Sequence, residues 1–361
     1  MPSFAAFALA LIAAQTPQLP YDLPASPAPT VATPPAPTID SQQAAFTAFI
    51  AGLRPRAIAA GVNPATFDRE TTGLTINPRV IRADRNQPGG PALGAPSGNL
   101  NFAPYRAQHF DAAHIAGGQR RYVTLRPLLS SIEQQTGVPE AMMLSLYGHE
   151  TGYGSFSGNL DLLQSFATLA WDGRRRELFT VELIDTLKLI DRGIPRSTLK
   201  GSWAGATGYP QFLPSVYLRL AKDGDGDGKA DIWRSEPDAL ASIANYLVDA
   251  GWKPNVVWGV AVQLPADFDR ASIRSPLISP RCPRVHARLS RWQTFAEWKA
   301  RGVIPLAFPG LRDDEQMTLI EPDGPGARAY LLSSNYQVIL DYNCSNFYGL
   351  AAGLLADAIT R

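Results

Sequence analysis

The sequence predicts a mainly α-helical protein with a smaller mixed α/β lobe toward its C-terminus. Three observations carry this. Apolar residues between positions 40 and 250 recur at three- and four-residue spacing in one segment after another. The β-like runs WGVAVQLP, ARAYLL and YQVILDYN appear only after Trp252. The closing stretch SNFYGLAAGLLADAIT then returns to helical character. With 361 residues and 45% hydrophobic composition, the chain can bury a sizeable core.

The elements follow in order. MPSFAAFALALIAAQ is a short apolar run ending in small residues, which suggests a signal peptide over residues 1–14, although it lacks a basic start beyond the amino terminus. It is too short for a membrane span, and no nearby cysteine follows it to take a lipid. Residues 15–39 are proline-rich and nearly uncharged and read as a tether, of which residues 16–38 alone would reach roughly 70 Å at about 3.1 Å per residue. Helical spacing starts with Phe46, Phe49, Ile50 and Leu53, behind Asp40 and Ser41 as caps. DRNQPGGPALGAPSGNLNFAP, residues 84–104, reads as an ordered surface loop. Helices are then expected over 106–117, 119–136, 139–149, 160–170, 175–191, 214–221 and 238–250, the last stopped by Gly251. The strands after Trp252 are separated by the turn EPDGPG.

Charge and cysteine content narrow the function classes. A formal net charge of +1 offers no polybasic signal and argues against a nucleic-acid partner. Two cysteines, Cys282 and Cys344, exclude a disulfide-dense scaffold and permit one bridge in an exported chain. The four histidines, His109, His114, His149 and His286, form no zinc-hydrolase motif.

Within TGVPEAMMLSLYGHE, Pro139 suits a first helical turn, and Met142, Met143, Leu146 and Tyr147 mark an embedded helix. Glu150 then falls near the helix end, where the dipole and partial desolvation both disfavour its charged form. Such an acid can stay protonated and donate to a leaving oxygen. A glutamate closing a helix beside the glycines of TGYG is equally an ordinary terminator.

Longer motifs decide between these readings. GHETGYG, FATLAWDGRRRELF, LKGSWAGATGYPQFLPSVYLRLAKDGDGDGKADIW, PDALASIANYLVDAGW and SSNYQVILDYNCSNFYGLAAGLLAD occur in an order that resembles the membrane-bound lytic transglycosylase B family, in a soluble form. DRNQP matches an early family motif, and the resemblance covers residues 42–361. It implies a lysozyme-like transglycosylase core over residues 40–252 with a mixed lobe and closing helix over 253–361. It also implies cleavage of the β-1,4 MurNAc-GlcNAc bond of peptidoglycan with formation of 1,6-anhydromuramic ends. Glu150 takes the family's catalytic position, as acid and then as base. A second carboxylate is not required, because the nucleophile belongs to the substrate. A conventional hydrolase would pair two carboxylates about 5 to 9.5 Å apart, and Asp161 or Asp172 would be the candidate here.

The same resemblance makes Ser202, Gln211 and Tyr246 groove residues, while the aromatic types in GSWAGATGYPQFLP offer Trp203, Tyr209 and Phe212 as walls, each read singly as a core residue. Arg174 and Arg175 match a family arginine pair near sugar or peptide-stem carboxylates, which the guanidinium fork suits. Leu213 and Pro210 depart from the family, which often has methionine and either glycine or glutamine there; this puts individual subsite contacts in doubt. His149 points about 100° from Glu150 on a helix and reads as a packing residue.

DGDGDGKADIW places Asp223, Asp225, Asp227 and Asp231 at positions 1, 3, 5 and 9 of an EF-hand-like loop, with the Lys229 carbonyl at position 7. Arg234 at position 12 cannot replace the usual glutamate, leaving Glu236 or Asp238 to close the loop. The cofactor expectation is a structural calcium and none for chemistry. The partners expected are peptidoglycan glycan strands, for a periplasmic or otherwise secreted monomer with no transmembrane span after leader removal. Competing readings are a catalytically inactive glycan-binding or scaffolding protein, a water-using muramidase, and a calcium-binding adaptor.

Overall fold

The computed structural model describes residues 39–86, 101–276, 278–280, 282–307 and 310–361. The leader, the tether up to residue 38 and residues 87–100 of the expected surface loop lie outside the described residues.

Four short helices lead the chain: α1 (Ile39–Gly52), α2 (Arg54–Ala59), α3 (Pro64–Thr71) and α4 (Pro78–Arg85). Asp40 and Ser41 lie within the first turn of α1 instead of capping it. Helices α3 and α4 both start with Asn-Pro, and the side chains of Asn63 and Asn77 accept the amides of Ala65 and Arg79. Proline next in line lacks only an N–H that a first turn leaves without a partner. These helices share a core with α9 (Leu162–Asp172) and α10 (Arg176–Asp191), built on Phe46, Val80, Phe166, Leu183 and Leu187.

Between them lie α5 (Phe102–His109), α6 (Ala112–Thr124), α7 (Arg126–Thr136) and α8 (Glu140–Thr151). The expected helices 106–117 and 119–136 are therefore cut differently. Asp111 starts α6 by accepting the His114 amide at 2.8 Å. The next break falls at Leu125, two residues before Pro127, whose ring cannot continue a helix from behind. Pro139 takes the N-cap position of α8 and not its first turn. Likewise α9 starts two residues later than expected, because Asp161 caps it through the Gln164 amide at 2.8 Å. A two-stranded ribbon of β1 (Leu160–Asp161) and β2 (Lys200–Gly201) precedes α11 (Pro214–Leu220) and α12 (Glu236–Asp249).

The C-terminal part holds β3 (Gly259–Gln263), α13 (Pro283–His286), β4 (Gln293–Thr294), α14 (Phe295–Ala300), β5 (Ile304–Pro305), β6 (Gln316–Ile320) and β7 (Ala329–Leu332). Its strands form one antiparallel sheet in the order β4-β6-β7-β3-β5. Helix α14 covers it with Trp298, which is fully buried and donates to the Met317 carbonyl at 3.1 Å.

YQVILDYN is not a strand but most of α15 (Ser334–Tyr342). Ser333 caps it through the Asn335 amide, while the Asn335 side chain donates to the carbonyls of Lys253 and Val256. Winding as a helix buries Tyr336, Ile339 and Leu340 on one side, and this tertiary gain overrides the local β preference.

The closing helix α16 (Asn346–Ile359) lies along α8 in one shared core. Small residues let the two approach, and Ser145 donates to the Ala352 carbonyl at 2.6 Å. Cys282 and Cys344 are bonded, tying the start of α13 to the link between α15 and α16.

Candidate active site

Every residue of α8 from Glu140 to Gly148 is buried, so its end is fixed by packing. Glu150 stands one residue before that end. The helix stops at Gly152, which is left-handed at φ 56° and donates to the Gly148 carbonyl at 2.9 Å. Tyr153 is also left-handed, at φ 59°. Its ring seats directly on Gly148, where a Cβ would come within 2.6 Å of Cζ, and its hydroxyl donates to the His114 carbonyl at 2.7 Å. Glu150 therefore sits on a turn with little freedom.

Tyrosines from three helices surround the carboxyl. Tyr348 of α16 donates to Oε1 at 2.6 Å, and Tyr105 of α5 and Tyr342 of α15 stand close enough to feel its charge. Oε2 has no hydrogen-bond partner among the described residues. Burial pushes the Glu150 carboxyl up to about 7, against the Tyr348 hydrogen bond, which favours the ionised form. Burial also drives Tyr348 and Tyr342 well above the usual phenol value, with the Glu150 charge adding to it, so both hydroxyls keep their protons.

His149 stands edge-on to Tyr348 at 5.4 Å between centroids. Its ring nitrogens are buried without hydrogen-bond partners, and burial holds it neutral, down to about 3. The structure also brings His109 and His114 around it, at 6.2 and 6.5 Å between ring centroids. Among the described residues, however, only Asp223, Asp225 and Asp227 converge closely enough to share an ion.

The residues expected in the groove divide into two groups. Tyr209 stacks obliquely on Tyr147 at 5.4 Å, and its carbonyl accepts from Thr151, the residue after Glu150. Tyr246 packs edge-on against Tyr342 at 4.7 Å and beside Phe212 at 5.7 Å, so it joins the aromatic wall that carries Tyr342 toward Glu150. Gln211, left-handed at φ 53°, donates to the carbonyls of Ser157 and Gly208 and so ties the 202–212 segment to the turn after Glu150. The Ser202 hydroxyl accepts the Ala206 amide at 3.1 Å. Arg174 and Arg175 stand apart. Both are engaged with the buried Asp84, Arg174 through two contacts at 2.5 and 2.6 Å and Arg175 at 2.6 Å. Sequence reasoning placed them at ligand carboxylates; the structure gives their forks an internal carboxylate, the first residue of DRNQP.

The second-carboxylate candidates are committed elsewhere. Asp161 caps α9 and pairs with Arg196 at 2.8 Å, and Asp172 pairs with Arg85 at 2.6 Å.

In the acidic loop, Asp223, Asp225 and Asp227 are exposed and converge within 4.8 Å. Asp223 accepts the amides of Gly226 and Gly228, which hold it below its usual range, Gly228 most strongly. Asp227 accepts the Lys229 amide at 2.8 Å. Asp238 is buried and closes the loop through the amides of Gly224 and Asp231, at 2.8 and 2.6 Å. Glu236 turns away to Arg121 and Tyr147. Three convergent carboxylates with no ion-pair partner among the described residues suit a hard cation, so the donor chemistry fits calcium.

Sequence reasoning missed the tyrosines around Glu150. Tyr348 and Tyr342 lie inside the closing motif that carried the family resemblance, but about 200 residues of chain separate them from the carboxyl they surround.

A family model described as the transglycosylase SLT domain matches residues 45–357. The membrane-bound lytic murein transglycosylase B of Escherichia coli (strain K12) is 29% identical over 308 residues, 82% of this chain and 80% of that protein. The crystal structure of SltB3 from Pseudomonas aeruginosa in complex with NAG-anhNAM-pentapeptide superposes with a TM-score of 0.76 at 36% identity, over 87% of this chain and 79% of that one. Slt35 of Escherichia coli in complex with calcium gives a TM-score of 0.69 at 25% identity, over 89% and 94%. Family model and fold agree with the half-buried glutamate in the last turn of α8: the chain belongs to the SLT-domain family of lytic murein transglycosylases.

Proposed function

We propose that this enzyme cleaves the β-1,4 bond between MurNAc and GlcNAc in peptidoglycan, leaving 1,6-anhydromuramic ends, with Glu150 serving as acid and then as base. Glu150 protonates the bridging oxygen as the C1–O bond breaks. The muramoyl O6 closes onto C1, and the carboxylate takes the O6 proton, so atoms balance with no net water. One observation carries this reading: a single carboxyl, half-buried at a helix end, with desolvation pushing its proton affinity up to about 7. It is poised to give a proton and take one back near neutral pH. The complex of SltB3 with NAG-anhNAM-pentapeptide supports the same chemistry.

Tyr348 holds Oε1 and leaves Oε2 to face the sugar. Ser202, Tyr209, Gln211 and Tyr246 shape the groove, the first and third by bracing its backbone. Arg174 and Arg175 reach sugar or stem carboxylates only if the Asp84 clamp releases them, so their part here is to stiffen the wall. A water-using muramidase would need a second carboxylate, and Asp161 and Asp172 are both engaged in ion pairs.

Asp223, Asp225 and Asp227, the Lys229 carbonyl, Asp231 and Asp238 would hold calcium, which would brace this loop and take no part in bond cleavage. A helical body over 40–252 and a mixed lobe over 253–361 fit the sheet's position, with α16 returning to the helical core. No described helix is long and apolar enough to cross a membrane. The substrate itself implies a periplasmic or secreted site of action.

Product ends test the reading. Purified murein digested with the enzyme should yield anhydromuropeptides by mass spectrometry; reducing muramic ends would make it a hydrolase, and intact murein a binding protein.

A further inference from the structure

Glu236 opens α12, immediately after the acidic loop, yet its carboxylate crosses to the active-site corner. Arg121 of α6 donates its Nε–H to Oε1 at 2.6 Å, and the Tyr147 hydroxyl donates to the same oxygen at 2.9 Å. Arg121 continues the chain of contacts. Its Nη2 donates to the Tyr153 carbonyl at 3.3 Å, and its guanidinium lies 4.8 Å from the Tyr153 ring centre.

Tyr147 and Tyr153 lie three residues before and three after Glu150. One carboxylate thus fastens both sides of the segment that aims the catalytic group. Tyr147 is 1% exposed and meets Tyr153 edge-on at 5.6 Å, so a shift in either is felt by the other. The left-handed Tyr153 is the strained position of this turn, and Arg121 holds its carbonyl. At the other end, Ser235, the cap of α12, donates to Asp225 of the acidic loop at 3.2 Å.

We propose that Glu236 is a positioning residue for the transglycosylase reaction, holding α8 and the turn after it through Tyr147 and Arg121 so that Glu150 keeps its aim. The proposal rests on the reading of Glu150 as the acid. Glu236 touches no substrate and acts by geometry, so its effect falls on turnover more than on binding.

Two readouts test it: kcat and KM on purified murein, and amide hydrogen exchange over residues 151–156. Glu236→Ala should lower kcat by about ten- to a hundredfold, as small misplacements of a catalytic group do, with KM within about twofold. The same variant should speed exchange in the turn. Glu236→Gln keeps a carbonyl oxygen that can accept from both donors, and should restore most of the kcat and the protection. Unchanged kcat and exchange in a folded Glu236→Ala protein would overturn the proposal, as would a proportional rise in KM with kcat intact. Should Glu236→Ala fail to fold, Tyr147→Phe deletes a single hydroxyl and should move both readouts in the same direction; no movement would overturn it equally. Exchange needs no substrate, so a wild-type enzyme that forms no anhydro product would strike the reading of Glu150 and leave the exchange result to be judged separately.

Discussion

At the scale of the residue, Glu150 is governed by two opposed effects of different size. Burial raises its proton affinity and the Tyr348 hydrogen bond lowers it, and burial wins by enough to bring the group up to about 7. Activity that needs the protonated acid should therefore fall as pH rises through about 7, measured as the basic limb of kcat/KM on murein. Tyr348→Phe removes the stabilisation of the carboxylate, so that limb should move to higher pH while kcat drops. The same burial has a cost in folding. Above the ordinary carboxylate value of 4.5, the unfolded chain releases a proton that the folded one retains up to about 7, so stability declines across that window. Glu150→Gln should accordingly be inactive yet more stable than the wild type at pH 8, by about 1–3 kcal/mol in thermal or denaturant unfolding. The place of Glu150 near a helix end was legible from the apolar spacing before it and the glycines after it. Tyr348 was not, because nothing in SNFYG signals a contact with a carboxyl 198 residues away.

At the scale of the element, α8 and its turn act as one part. Gly148 is required because the Tyr153 ring occupies the space of a Cβ, at 2.6 Å. Gly148→Ala should destabilise by about 1–3 kcal/mol through overpacking, and should reduce kcat, since the displaced ring belongs to the turn behind Glu150. Helix α12, with its apolar stripe and the Ser235 cap, was readable from spacing, and α10 from its long run of apolar positions. The failures have local causes. Asp111 and Pro127 cut what looked like longer helices, and YQVILDYN became α15 because Ser333 and Asn335 provide a cap and a docking contact that a β-propensity reading ignores. Arg174 and Arg175 show the same limit: an exposed-looking basic pair finds a buried partner, Asp84, about 90 residues earlier.

At the scale of the whole molecule, the C-terminal segment completes the site, since Tyr348 donates to Glu150 and Tyr342 stands within range of its charge, both from beyond the sheet. The Cys282–Cys344 bond closes a 62-residue separation just ahead of Tyr348. Replacing both cysteines with serine should cost about 4 kcal/mol by chain entropy, seen as a lower Tm. The acidic loop bears on α12 through Asp238, so a chelator should lower the Tm of the wild type and leave Asp225→Asn unaffected. The fold class was visible in the sequence because helical and β-like periods fall in separate stretches. The return of α16 to α8 was not, because it depends on which faces meet and not on what either segment is.

The most direct measurement compares the wild type with Glu150→Gln on the same purified murein, at pH 6, scoring 1,6-anhydromuropeptides by mass spectrometry and confirming the fold of the variant by its melting curve. The expected result is abundant anhydro product from the wild type and none above background from a fully folded variant. Anhydro product formed by Glu150→Gln at a rate near that of the wild type would contradict the assignment of both proton transfers to this one carboxyl.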